Sequence, residues 1–439
     1  MLNRKFRLLV LLVLVSTFLL LGCSSNSLNQ SSEYTLVVNS EGEGNVVEDD
    51  VITTEVYENG TEVQLTAVTD VANWLFSHWE GDYSGNENPV NIVMNKDKTI
   101  TAVFQSKVLI GSEPYEITNW YQLNEIRSRL SANYILMEDL DDQSLGFSDL
   151  VGLPTSDNLG WEPIGDLIDP FAGNFDGNNK TINNLYINRD TEDYVGLFGC
   201  KNGEIENLII KDYIVIGDQK VGGLVGKSAS NVTNCSVTGN ATGTVVVGGL
   251  VGANSGTITN CCASGEITGT RYLGGLVGFN TRYIYNSYAQ VDATGTDTHV
   301  GGLVGYVANG SIIRNSYAIG RIQGASKVGG LIGETEILTG SAIEDTYSAG
   351  TVIIVGYSGG LIGVNQDTNH LNVHYSYWDN EVGSAVDISS GGEGKTTNEM
   401  SQEVTFIGWD FMDIWIIDEG DTYPYLKWQT ENIPNIPTG

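Results

Sequence analysis

The chain has 439 residues, with 21 Lys and Arg against 54 Asp and Glu, for a formal charge of −33. A charge of that sign and size excludes nucleic acid and anionic lipid as partners held by the overall field. Five cysteines in so long a chain do not make a disulfide framework, and the length is enough for more than one domain.

In chain order, residues 1–22 read as a targeting segment. Arg4, Lys5 and Arg7 precede an apolar run from Leu8 to Leu21 that only Ser16 and Thr17 interrupt. The run is shorter than the roughly 20 apolar residues of a membrane span. It ends in "LLGC", Leu20 to Cys23, which resembles a bacterial lipobox. That resemblance implies lipid on Cys23, attachment to a membrane through that lipid, and a place at the cell envelope. Residues 23–33 are polar and have the composition of a tether.

Residues 34–106 alternate as short strands, "YTLVVNS", "TEVQLTAV", "VNIVM" and "KTITAVF", with turn signals between them such as Asn59-Gly60. The segment resembles the divergent InlB-type B-repeat, with Trp79, Gly81, Asp82, Asn88, Pro89 and Met94 at that motif's places. The resemblance implies a surface spacer or interaction module. Phe76 and Trp79 are expected to fill a very small core.

From Val195 one phrase recurs. "VGLFG" is followed by "VGGLVG" at Val221, Val247 and Val300, "LGGLVG" at Leu273, "VGGLIG" at Val328 and "SGGLIG" at Ser358. A second phrase keeps the same phase, from "IENLII" at Ile205 to "VHYSYW" at Val373, with an earlier copy, "INNLYI", at Ile182. Apolar runs of strand length separated by Gly, Asn and Thr predict an all-β fold. One unit cannot bury its own apolar face, whereas stacked units can. The expected architecture is a capped parallel β-solenoid of seven or eight rungs over residues 181–390, behind the small β domain. Like residues would then form columns at about 4.8 Å spacing. Asn184, Asn207, Asn234, Asn260, Asn286 and Asn315, continued by Asp345, make one such column. Cys235 and Cys261 share a second with Ser287, Ser316, Thr346 and Ser376, which suggests small buried side chains. A disulfide between neighbouring rungs stays open for them.

Residues 111–180 read as an N-terminal cap and first rungs, with helical spacing at Trp120, Leu123, Ile126 and Leu130. Residues 391–430 read as a C-terminal cap, with capping-box spacing at Thr396 and Glu399 and a dense aromatic stretch, before a tail at 431–439. The Gly-Leu phrases, "WEPIG…FAGNFDGNNKTINNLYI" and "GKTTNEM…YPYL" resemble the GLUG-motif repeat proteins over roughly residues 111 to 430. These are bacterial and archaeal surface or secreted chains. The resemblance implies the architecture and no single activity.

Candidate chemistry is sparse. "GYSGG" matches a nucleophile elbow, but Ser358 stands at a repeat position with no helix after it. "SSGGEGKT" lacks the first Gly of a phosphate loop. His370 and His374 have Leu371 where a zinc protease needs Glu. The carboxylates at Glu138–Asp142 and up to Asp421 are the candidates for Ca2+; no other cofactor is expected. Tyr288, Tyr317, Tyr347 and Tyr377 occupy one position in four successive units. Facing solvent they would form an aromatic strip for sugars or protein side chains; facing inward they would be core. Strict alternation points them inward, and a bend at the Asn column turns them outward. The expectation is a non-catalytic, lipid-anchored surface protein that presents a platform for a glycan or an extracellular protein. The alternatives are a polysaccharide-acting β-helix enzyme and a purely structural spacer.

Overall fold

The computed structural model describes residues 32–48, 54–154, 158–308, 310–336, 342–353, 356–367, 372–382 and 388–436. Residues 1–31, and with them Cys23, lie outside the described residues, as does His370.

The first module is built as the alternation dictates. Glu62–Val68 buries Val63, Leu65 and Ala67 and exposes or half-exposes the residues between them. One four-stranded sheet runs in the order Glu55–Glu58, Glu33–Glu41, Lys98–Ser106, Trp74–Gly81, and a three-stranded sheet joins Asn45–Glu48, Glu62–Val68 and Val90–Val93. Trp79 is fully buried at the centre of this small core, 5.1 Å from Phe76, and its indole N–H donates to the Glu87 carbonyl. The module rests on the N-terminal cap, where Asn119 and Gln122 both donate to the Ser106 carbonyl at 3.0 Å. A cleft of about 900 Å3 lies between them, lined in part by Trp74, His78, Glu80, Glu138 and Asp141.

The rest is a parallel solenoid of about seven turns. Its clearest wall stacks seven strands, beginning with Phe198–Lys201, Val225–Ser228 and Val251–Asn254. The register is that of the repeat: Val225, Val251, Val277, Val304, Ile332 and Ile362 are successive partners. On the wall before the phrase, Val221, Val247, Leu273, Val300, Val328 and Ser358 are partners in the same way. Ser358 is therefore a wall position, as its phase implied. The third wall carries the longer strands, such as Cys262–Gly269 and Tyr288–Gly295.

Two features of each turn have a local cause. The residues at 207, 234, 260, 286, 315 and 345 are left-handed, with φ between 48° and 54°. Asn tolerates that conformation best among residues with a side chain. The amides of Asn234, Asn260 and Asn315 also donate along the stack to the preceding Asn at 3.0–3.1 Å. Asn184 is not part of this column. Ile182 pairs with Ile210, so the early "INNLYI" copy stacks one strand further along than its spelling suggests. Asp176 instead accepts from Asn207, and extra residues loop out before Thr181. The last Gly of each phrase has a steric cause. A Cβ on Gly278 would lie 2.8 Å from the Val247 backbone nitrogen and 2.9 Å from the carbonyl oxygens of Gly252 and Tyr272.

Both ends are covered. Trp120–Glu125, a short helix capped by Asn119, continues as a 3-10 turn over Ile126–Ser128, and Trp120, Leu123 and Ile126 are fully buried. At the other end Ser389 accepts from the amides of Leu361 and Ile362, and the predicted Thr396/Glu399 capping box is present. Among the described residues, no helix is long and apolar enough to cross a membrane.

Candidate functional site

The bend at the left-handed column decides where the next residues point. Cys235, Cys261, Ser287, Ser316, Thr346 and Ser376 turn into the coil. There, the Ser287 and Ser316 hydroxyls accept the amide N–H of the turn before them, Cys261 and Ser287 respectively, at 3.1 and 3.2 Å. Cys235 and Cys261 are free and buried, and burial pushes the Cys261 thiol well above its ordinary range. The following column, Tyr288, Tyr317, Tyr347 and Tyr377, turns out of the coil. It is nevertheless buried, because the C-terminal segment lies across it. Tyr288, Tyr317 and Tyr347 stack at 5.0 and 4.9 Å with planes 4° and 9° apart. Trp409, Trp415, Tyr423 and Trp428 cover them, with Tyr317 donating to Gln429 and Tyr347 to the Pro424 carbonyl, each at 2.7 Å. The tyrosines are thus no solvent-facing strip for a ligand. The C-terminal segment, expected as a cap, is a lateral strap along the tyrosine column as much as an end cap.

The carboxylates weighed for Ca2+ have local tasks. Asp139 accepts from Thr181, Asp141 from Gln143 and Ser144, and Asp418 from Tyr425. Among the described residues, no three His, Cys, Asp or Glu side chains gather as metal ligands.

The surface with the most varied chemistry flanks the repeated phrase itself. The residue before the phrase is left-handed in six turns: Tyr194, Lys220, Val246, Tyr272, His299 and Lys327 have φ between 54° and 65°. The residue after it, Lys227, Ala253, Phe279, Tyr306 or Glu334, points outward from the next wall. The two columns meet. Phe279 and Tyr306 stack at 5.1 Å and 12°, and Tyr272 packs edge-on against both. His299 lies 4.5 Å from Tyr272. Glu334, only 3% exposed, brings one oxygen within 2.5 Å of both His299 Nε2 and Lys327 Nζ, while its other oxygen accepts from Gln366 at 2.8 Å. Burial would raise the Glu334 carboxyl, but the hydrogen bonds from Lys327 and Gln366 outweigh it and hold it below the usual range. Burial and the nearby Lys327 charge push His299 down. Tyr306 donates to Glu336 at 2.9 Å. Sequence reasoning passed over this strip. Its signal was present: the phrase is constant, and the residues on either side of it are not.

With that geometry in view, residues 34–108 match the divergent InlB B-repeat domain, and residues 217–242 and 296–323 match the GLUG motif. The chain carries both. It is 32% identical over 161 residues to halomucin of Haloquadratum walsbyi, which covers 35% of this chain and 2% of that protein. It is 34% identical over 144 residues to a "putative Gly-rich membrane protein" of Evansella cellulosilytica, covering 30% of this chain and 16% of that one. The chain therefore spans a small part of either relative. Among solved structures, a "putative immunoglobulin A1 protease from Bacteroides ovatus" is similar at 19% identity and a TM-score of 0.45, over 73% of this chain and 94% of that one.

Proposed function

We propose that this chain is a non-catalytic, lipid-anchored protein of the cell surface whose solenoid displays a ligand-binding face. One observation carries the reading. Inward positions of the two walls at each phrase repeat almost without change, whereas the outward columns beside it run through Lys, Val, Tyr, His, Ala, Phe and Glu. A constant frame with a varied surface suits recognition better than a spacer, which needs only the frame. The one carboxylate of the strip, Glu334, is ion-paired with Lys327 and hydrogen-bonded by Gln366, which suits a binding surface rather than a free general base. Lipid on Cys23 would tether the molecule, with the polar segment after it as the leash.

The test is a glycan and extracellular-protein array probed with the Cys23→Ser chain and with a Tyr272→Ser/Tyr306→Ser variant. A signal that the double variant loses while keeping its melting temperature supports the strip. No signal on any feature favours the spacer. Detergent phase partition of the native chain against Cys23→Ser tests the anchor separately.

A further inference from the structure

The strip beside the phrases has a charge opposite to that of the chain. In the ten strands that flank the five phrases from Val221 to Val328, the outward charged residues are Lys220, Lys227, Arg271 and Lys327 against Glu334 alone. The chain has 21 basic residues among 75 charged ones, so five taken at random would include between one and two cations. Four are present. Lys327 is matched by Glu334, which leaves Lys220, Lys227 and Arg271 without a carboxylate on the strip. Acidic residues return at its margins, with Asp218 and Asp297 at the corners on one side and Glu336 on the other.

The spacing of these groups follows the coil. Lys220 and Lys227 belong to one turn, Arg271 stands two turns on, and Lys327 two turns further. At about 4.8 Å per turn the cations recur at about 10 Å along an axis of about 19 Å. Aromatic rings lie between and beneath them: Lys220 is 4.6 Å from the Tyr194 ring centre and Arg271 5.5 Å from that of Tyr272. An extended polysaccharide advances by nearly one turn's spacing per sugar. A carboxylate on every sugar, or on every second one, would meet these cations in register, with apolar sugar faces against the rings. A duplex nucleic acid has a phosphate charge every ~1.7 Å and a far wider body, so the acidic margins would repel it.

We propose that this strip binds a linear carboxylated polysaccharide laid along the solenoid axis. The proposal rests on the reading of this face as the binding face and names its ligand class. The contacts are exposed ion pairs, so binding weakens as salt rises.

The test is affinity electrophoresis of the Cys23→Ser chain through gels containing polygalacturonate, alginate or hyaluronate, with methyl-esterified polygalacturonate and duplex DNA as comparisons. Retardation by at least one carboxylated polymer is expected, with a loss of about tenfold in the ester and in a Lys220→Gln/Lys227→Gln/Arg271→Gln variant. If the triple variant does not fold, Arg271→Gln alone, at an exposed position, should lose part of the retardation. No retardation by any of the three polymers overturns the proposal. So does equal retardation by the ester or by DNA, or a variant that binds unchanged. The array described above separates this failure from that of the binding reading, because a neutral glycan or protein ligand that needs Tyr272 and Tyr306 would still register there.

Discussion

Trp415→Ala tests whether the strap holds the tyrosine column. Trp415 is fully buried and packs against Tyr317, Tyr347 and Trp409, with ring centres 6.3, 6.2 and 4.4 Å away. An indole of about 200 Å2 at ~25 cal/mol per Å2 contributes about 5 kcal/mol of transfer free energy, and measured Trp→Ala costs of ~3–5 kcal/mol agree with that figure. The strap touches the coil sideways, so its loss need not unfold the turns beneath. The variant should therefore show two effects. Proteases should cut within 396–436 before they cut the solenoid, and an environment-sensitive apolar dye should bind where Tyr288, Tyr317 and Tyr347 become uncovered. Urea unfolding followed by fluorescence should separate into a strap phase, weakened by about 3 kcal/mol or more, and a solenoid phase that moves little. A single unchanged transition, with a cost below about 1 kcal/mol and the same cleavage pattern, would refute the covering role of the strap.

Gly278→Ala places a methyl within 2.8–2.9 Å of three backbone atoms, two of them in the preceding turn, and should cost about 1–3 kcal/mol, which thermal melts against the native chain check. Asp345→Asn should stabilise the protein at pH 7 by about 1–2 kcal/mol, because burial, with Glu344 adding to it, raises the Asp345 carboxyl to about 6. The sign follows from the raised value: the cost of the charged form is full above pH 6 and fades as pH falls toward 4, so the advantage of Asn should vanish there. Lys201 is buried with its ammonium donating to the carbonyls of Gly203, Ser230 and Asn231, and burial pushes it down to about 7. Its charge thus costs stability below pH 7 and less as pH rises toward 10, so the denaturation midpoint of the native chain should climb over that range relative to Lys201→Met.

The coil was legible because its cause is local and repeated. A phrase with Gly wherever backbone touches backbone, and Val or Leu wherever a side chain enters the core, can be read without coordinates. The Asn column was legible for the same reason, since its left-handed bend recurs in every turn. Asn184 was misplaced because the first turns loop out extra residues and shift the phase, and spelling alone does not show an insertion at a corner. The tyrosines show a different limit. The bend that turns them out of the coil could be inferred from Asn286, Asn315 and Asp345, and the aromatic stretch that covers them was plain at Phe406–Trp428. That the two meet depends on contacts such as Tyr317 with Gln429, more than a hundred residues apart, which no periodicity encodes.

The strip beside the phrases went unread for the opposite reason: periodicity draws the eye to what recurs. In a solenoid the recurrent positions are those the stack consumes, because each must fit the turn above and the turn below. The positions free to differ are those that face out, and recognition can use only what the stack leaves free. Lys220, Tyr272, His299 and Lys327 hold one backbone conformation in common, left-handed and unfavourable for residues other than Gly or Asn. A corner that needs only its shape would be cheaper with Gly. Placing side chains there at a cost of about 1–2 kcal/mol each makes sense where those side chains have a task, and it ties the varied chemistry of the strip to the invariant geometry beneath it.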